Sequence, residues 1–303
     1  MTLLLPSSIS DDAAEPRTLV LPPRAPAGLP TRSVLFDARL RAARALLPDD
    51  AVFCGDTALW IHQVNWFAGD DSPIHVAMRH ADRIRRRGKL VVRARSLHPD
   101  DIVDSAWGPV TSVERTAYDV ARDPVIFRSV PRLDALARAA DPTADLPRMP
   151  DPTVVVPPPC GIDLDGVQVI VDRNAGARWI RRVHDALQLM DGGAQSPRES
   201  KVRLRVVTLG FPRLETQIEV FDGARFVARL DMGWRELRMG IEYDGQYHER
   251  PDQVALDVAR ASDVVDCGWA LVRIDKAAYR NERRMIDHIA RARSGRLALL
   301  RAG

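Results

Sequence analysis

The stretch IEYDGQYHER, residues 241–250, sets Glu242 and Asp244 two apart ahead of a glycine, with His248 four residues further on. On an extended strand the two acids share one face, and Ile241 and Tyr243 take the other. A third acid, Asp231, ends the upstream run RFVARLD, in which Phe226, Ala228 and Leu230 fall on one side and Val227, Arg229 and Asp231 on the opposite one. A hairpin through MGWREL sets Asp231 beside Glu242. Two carboxylates about 4 Å apart repel by roughly 4 kcal/mol at an effective dielectric near 20, so the pair must take up a proton or bind a cation. All-oxygen ligands suit Mg²⁺ or Mn²⁺, which keep waters and share their coordination with substrate phosphate. The natural substrate is then a phosphodiester, the ion readying a water for attack and neutralising the leaving oxygen.

Each candidate has a structural alternative. Glu199, three residues after Ser196 in SPRE, either closes a capping box or reaches the acids. Asp244-Gly245 is either part of the site or a turn that ends the strand. His248 is either a general base or an exposed loop histidine. Asp231 and Glu242 differ, because acids that face one another across paired strands have no evident structural purpose.

Around these residues the C-terminal third reads clearly. Ser196 as cap and Pro197 at the first helical position open a helix through KVRLRVVTL that stops at Gly210. TQIEVF, RFVARLD and RMGIEYD give three strands, the first two separated by the turn former Asp222-Gly223. Val254, Val258, Ala261 and Val265 are spaced for one buried helical face, with Gly268 as terminator. WALVRI is a last strand and ERRMIDHIARAR a last helix. The order is helix, three strands, helix, strand, helix.

Further upstream the spacing predicts a helix from Ser33, a second over DTALWIHQV capped by Asp56 or Thr57, strands IHVAM and KLVVRA, and helices over SVERTAYDVAR and VPRLDALARAA. Residues 1–32, with LPPRAPAGLP, predict a mobile tail. DPTADLPRMPDPTVVVPPP predicts a proline-rich linker over 141–160, since proline removes backbone donors. The expected plan is an α/β (α+β) protein with a smaller mixed domain over 33–140 and a second domain over 161–303. GVQVIVD reads as a strand, and ARWIRRVHDALQLM as a helix. Trp60 and Trp66 fall on a helical pattern that favours packing.

Of 303 residues, 46% are apolar and 28% charged, ordinary values for a globular chain. No apolar run approaches the roughly 20 residues of a membrane span, and the start lacks the basic character of a secretory signal, so a cytoplasmic protein with no membrane partner is expected. Three scattered cysteines argue against a disulfide framework or a cysteine-rich zinc site. His62, His75, His80 and His98 lack compact ligand spacing. A net charge of +3 decides nothing by itself, because phosphate binding depends on local clusters. One such cluster is RHADRIRRRGKLVVRAR, whose Arg83, Arg85, Arg86 and Arg87 suit a nucleic-acid backbone, or else a solvated loop and strand edge.

The run from SPRESKVRLR through RLDMGW, GIEYDGQYH and DVARASDVVDCGWALVRI resembles the very-short-patch-repair-like branch of the PD-(D/E)XK nuclease superfamily over roughly residues 195–293. The resemblance implies a restriction-endonuclease-like αβββαβ core and a Mg²⁺-dependent (or Mn²⁺-dependent) DNA endonuclease active in repair or defence. It makes Asp231 and Glu242 the metal acids, with the Tyr243 carbonyl able to contribute. Glu199 matches an acid that some members supply from the first helix. Asp244 stands where the general motif has Lys, leaving His248 as the local general base and Arg260 and Arg273 to meet phosphate. Residues 33–140 resemble, through AVFCGDTALWIHQV, IHVAM and PVTSVERTAYDVAR, the middle region of abortive-infection-type antitoxin proteins. That implies a nucleic-acid partner, expected to be DNA, or a protein partner such as a toxin, and a noncatalytic DNA-binding or antitoxin-like regulator as the alternative function.

Overall fold

The computed structural model describes residues 32–79, 89–95, 97–144, 158–244 and 251–302. The expected tail, most of the proline-rich segment, the arginines at 83 and 85–87, and His248 lie outside the described residues.

Helix α1 (Val34–Leu46) begins where Ser33 Oγ accepts a hydrogen bond from the Phe36 amide. Strands β1 (Val52–Phe53), β2 (Ile74–Met78), β3 (Leu90–Ala94), β4 (Ile102–Val103) and β5 (Val110–Thr111) form a mixed sheet in the order β3-β2-β1-β5-β4. Helix α2 (Gly55–Ile61) connects β1 to β2, and Cys54, not Asp56 or Thr57, is its cap residue. Trp60 is buried in this unit's core with Phe36 and Leu40, and Trp66 packs against the neighbouring helical core.

A helical layer follows: α3 (Val113–Ala121), α4 (Ile126–Ala140), α5 (Leu164–Arg173), α6 (Ile180–Leu189) and α7 (Pro197–Thr208). Their apolar faces make one core that includes Leu59, Tyr118, Leu133, Val167, Val183 and Leu204, so it joins residues from both sides of the proline-rich segment. The ends of that segment are pinned together, since the Cys160 amide donates to Asp141 Oδ2 (3.0 Å) and the Gly161 amide to the Ala137 carbonyl (2.9 Å). GVQVIVD, expected as a strand, lies in α5. Asp163 caps that helix, and Val167, Ile170 and Val171 are buried at helical spacing, a pattern that a short apolar run does not distinguish from a strand.

The second sheet contains β6 (Glu215–Asp222), β7 (Arg225–Trp234), β8 (Met239–Tyr243) and β9 (Ala270–Ile274) in that spatial order. The first three pair antiparallel, and β9 joins β8 in parallel after crossing through α8 (Pro251–Asp266). Helices α9 (Lys276–Arg280) and α10 (Glu282–Ala302) end the chain. Val202 and Val206 of α7 and Met285 and Ile289 of α10 pack with Met232, Trp234, Ile241 and Val272 of the sheet. Val264 of α8 packs instead with Ile218, Val220, Ala228 and Leu230. The buried face of α8 is therefore not the expected one: Val258 and Val265 are 61% and 55% exposed, whereas Val264 is fully buried. Gly268 does end the helix, in the left-handed conformation with φ +80°. Among the described residues no helix is long and apolar enough to cross a membrane.

Candidate functional site

Strand alternation breaks at Asp231. Leu230 and Met232 are two residues apart, yet Leu230 packs with Val264 of α8 and Met232 with the α7 side of the sheet. The β6–β7 register is constant here, pairing Thr216 with Met232 and Ile218 with Leu230, but Gln217 and Asp231 between them are left unpaired, and Gln217 is left-handed with a φ of +53°. On the other side the β7–β8 ladder stops at Met232 and Ile241. Beyond it the Tyr243 amide donates to Asp231 Oδ2 at 2.8 Å, so a side chain takes the place of a ladder carbonyl. Asp231 thus sits where the strands splay, a position that strict alternation does not anticipate.

Three acids converge on this opening. Asp231 is partly buried, and Glu242 and Glu199 are buried, at 7% and 8% exposure. Burial, followed by the charge of Glu199, pushes the Asp231 carboxyl well above the usual carboxylate range; the Tyr243 N–H opposes this, Glu242 adds to it and Arg260 counters it. Burial also raises the Glu199 carboxyl against the hydrogen bonds from the Gln195 amide (2.8 Å) and the Ser196 hydroxyl (2.8 Å). Glu199 therefore both closes the start of α7 and adds negative charge at Asp231.

Glu242 is matched by arginine. Both Arg260 terminal nitrogens donate to its two oxygens, at 2.9 and 3.0 Å, and Arg273 Nε lies 3.7 Å from Oε2. Burial works against the Arg260 charge, but the attraction and hydrogen bonds of Glu242, with Asp257 and Asp231, hold its pKa above the ordinary value. Arg273 also donates to the Asp257 carbonyl (3.0 Å). The two arginines expected to face phosphate are thus brought to the acids. Asp244 is exposed at the end of β8, its amide donating to the Ile274 carbonyl (2.9 Å).

The motif reading missed one feature beside the acids. Arg198, Lys201 and Arg205 follow one another along α7, interleaved with two tyrosines. Arg198 lies over the rings of Tyr243 and Tyr279 and donates to the Tyr243 hydroxyl (2.8 Å), and Arg205 covers Tyr279 at 4.5 Å. Burial, then Arg132, Arg198 and Arg205, hold the Lys201 ammonium below its usual pKa. The i, i+3, i+7 spacing in RESKVRLR was the available signal.

For a divalent ion, the donor chemistry fits. Among the described residues Asp231 has a raised pKa amid like charges and only one oxygen in a hydrogen bond, and Mg²⁺ requires only one or two carboxylates besides water and phosphate. Among the described residues no three His, Cys, Asp or Glu side chains form a closed cage, and Glu242 must exchange the Arg260 fork for an ion.

Fold and site define a mixed α+β protein with two mixed sheets and an acidic centre flanked by arginines. The chain is 29% identical over 133 residues to the uncharacterized proteins MT2308 and Rv2248 from two strains of Mycobacterium tuberculosis, an alignment covering 42% of this chain and 49% of each relative. It therefore spans about half the length of the curated relatives it matches. No family model matches the chain, and no solved structure matches it.

Proposed function

We propose that the C-terminal unit, α7 to α10, is a restriction-endonuclease-like module that hydrolyses DNA phosphodiesters with Mg²⁺ or Mn²⁺. The observation that carries this reading is Asp231: a carboxyl held at a break in the sheet, crowded by Glu199 and Glu242, with no arginine bonded to it among the described residues. Asp231 and Glu242 would hold the ion, with the Tyr243 carbonyl beside them, and the ion supplies a polarised water and charge neutralisation when bound. Arg260 and Arg273 are placed to pass from Glu242 to a phosphate. The Arg198–Tyr243–Tyr279 surface offers the cationic and aromatic contacts that a strand backbone and unstacked bases use. His248 and Asp244 are proposed to assist at the end of β8.

The second reading is a noncatalytic DNA-binding or antitoxin-like regulator that retains this fold. The bidentate Arg260–Glu242 pair favours it, because that acid is already neutralised without a metal. One assay separates the two: nicking of supercoiled plasmid in Mg²⁺, Mn²⁺ or chelator by wild type, Asp231→Asn and Glu242→Gln proteins. Metal-dependent nicking reduced at least 100-fold in both variants supports hydrolysis. Salt-sensitive DNA binding with no cleavage in any protein assigns the regulator.

A further inference from the structure

Between the first sheet and the helical layer lies a cavity of about 340 Å³, within the range of ligand pockets (about 300–1,000 Å³). Its wall combines Cys54, His75 and Arg93 from the sheet side with residues of α3 and α4 and with Arg178 and Trp179, just ahead of α6. The cavity is therefore completed only when chain from both sides of the proline-rich segment comes together.

Five arginines line it against three aspartates. Each aspartate already has a cation: Asp56 is bridged by Arg132 (2.7 Å), Asp119 by Arg95, and Asp123 by Arg128 (2.8 Å) from outside the cavity. The Arg93 side chain is exposed on β3, opposite Ala77, and among the described residues no acid meets it. Arg122 donates to the Arg178 carbonyl, and the Arg178 guanidinium rests over the Trp179 ring at 4.9 Å, again with no carboxylate among the described residues. Positive charge in the cavity is thus in excess and carried by planar forks that match phosphate oxygens.

One further observation indicates a ligand. Trp179 is 43% exposed and held at φ +68°, a backbone conformation costly for a bulky residue and common where function holds a side chain in place. It leaves an aromatic face at the rim of a cationic cavity.

We propose that this cavity binds a nucleotide through its phosphoryl group, with Arg93, Arg122 and Arg178 holding the phosphate and Trp179 stacking on the base. The phosphoryl group belongs either to a free mononucleotide or to the 5′ end of a nucleic-acid strand. The site is separate from the acidic centre and does not rest on the catalytic reading.

The test is calorimetric titration of the full chain at low salt. The probes are adenosine 5′-monophosphate and uridine 5′-monophosphate, inorganic phosphate, and one short oligonucleotide with either a 5′-phosphate or a 5′-hydroxyl. The variants are Arg93→Ser, Arg178→Ala and their combination, with circular dichroism melting to verify the fold. Both positions are exposed and, among the described residues, bridged to no acid, so the variants are expected to fold as wild type. Mononucleotide or phosphorylated-strand binding that weakens at least 10-fold in each single variant and is lost in the double variant supports the site. A 10-fold preference for the 5′-phosphate over the 5′-hydroxyl oligonucleotide assigns the strand end; mononucleotide binding without that preference assigns the free nucleotide. Binding of no probe, of inorganic phosphate alone, or of nucleotide equally by wild type and double variant overturns the proposal. Plasmid nicking reports only on the acidic centre, so either reading can fail without the other.

Discussion

Asp134, buried, and Asp231, partly buried, are both acids beside α7, and they differ in what answers their charge. Asp134, 1% exposed on α4, accepts the Asp191 amide (2.7 Å) and the Arg203 guanidinium of α7 (2.8 Å). Burial still pushes its carboxyl up to about 6, against the pull of Arg203 and these hydrogen bonds. Among the described residues Asp231 has one amide, no bonded arginine, and two acids for neighbours. The first clasps two helices across the shared core. The second is an unmet demand for positive charge at the surface of a sheet. Burial of an acid therefore does not by itself mark a functional group; the lack of a dedicated partner does.

The largest effect that tests this contrast is on Asp134. Asp134→Ala leaves Arg203 buried and uncompensated, and unfolding in urea should show a loss of about 3–5 kcal/mol. Replacing both, as Asp134→Leu with Arg203→Met, should recover most of that loss, since an apolar pair of similar volume substitutes for a buried ion pair. A loss below about 1 kcal/mol for the single variant would remove the distinction between the two acids.

Asp231→Asn should act in the opposite direction, with a sign set by pH. Both acids titrate above their ordinary value of 3.8 in the folded chain. Each therefore contributes stability that is full below the unfolded pKa and is lost as pH rises through the folded one, a window from 3.8 to about 6 for Asp134. The amide removes the Asp231 share of that loss. Melting temperature should rise over wild type at pH 7.5, and the gain should vanish below pH 3.8. A uniform gain at every pH would mean that the Asp231 carboxyl is not strained by its neighbours.

A smaller effect concerns the ladder that delivers Asp231 to Glu242. Gly233 pairs with Gly240 there, and a Cβ at 233 would stand 2.1 Å from the Met239 carbonyl oxygen. Gly233→Ala should cost about 1–3 kcal/mol as the strands separate, and any activity of the acidic centre should fall with it. Gly210→Ala, where nothing lies within 4 Å, is the comparison for backbone strain alone.

The C-terminal elements were legible because their signals are local: Ser196-Pro197, Asp222-Gly223 and Gly268 punctuate the chain where the structure begins, turns and stops. Asp231 and Glu242 were legible as a pair because the hairpin register follows from strand spacing. The face change at Asp231 was not, since it falls where Asp231 and a left-handed Gln217 in the neighbouring strand are left unpaired. The helical identity of GVQVIVD, the exposure of Val258 and Val265, and the Arg260 fork on Glu242 all depend on which neighbour an element meets, and periodicity does not encode that.

The smallest expected change in stability concerns that fork and decides what it is for. Arg260 is 37% exposed, so water weakens its pairing with Glu242, and Arg260→Gln should cost no more than about 1 kcal/mol. Its effect on ion binding should be larger. If the guanidinium occupies the place of a cation, removing it frees both Glu242 oxygens and takes a stabilising charge from Asp231, so Mn²⁺ should bind the variant more tightly. Added Mg²⁺ should then raise the variant's melting temperature more than that of wild type, because an ion that binds only the folded state stabilises it by mass action. Equal shifts would mean that Arg260 and the ion do not compete, and Glu242 would then belong with Asp134 as an acid already satisfied by its arginine.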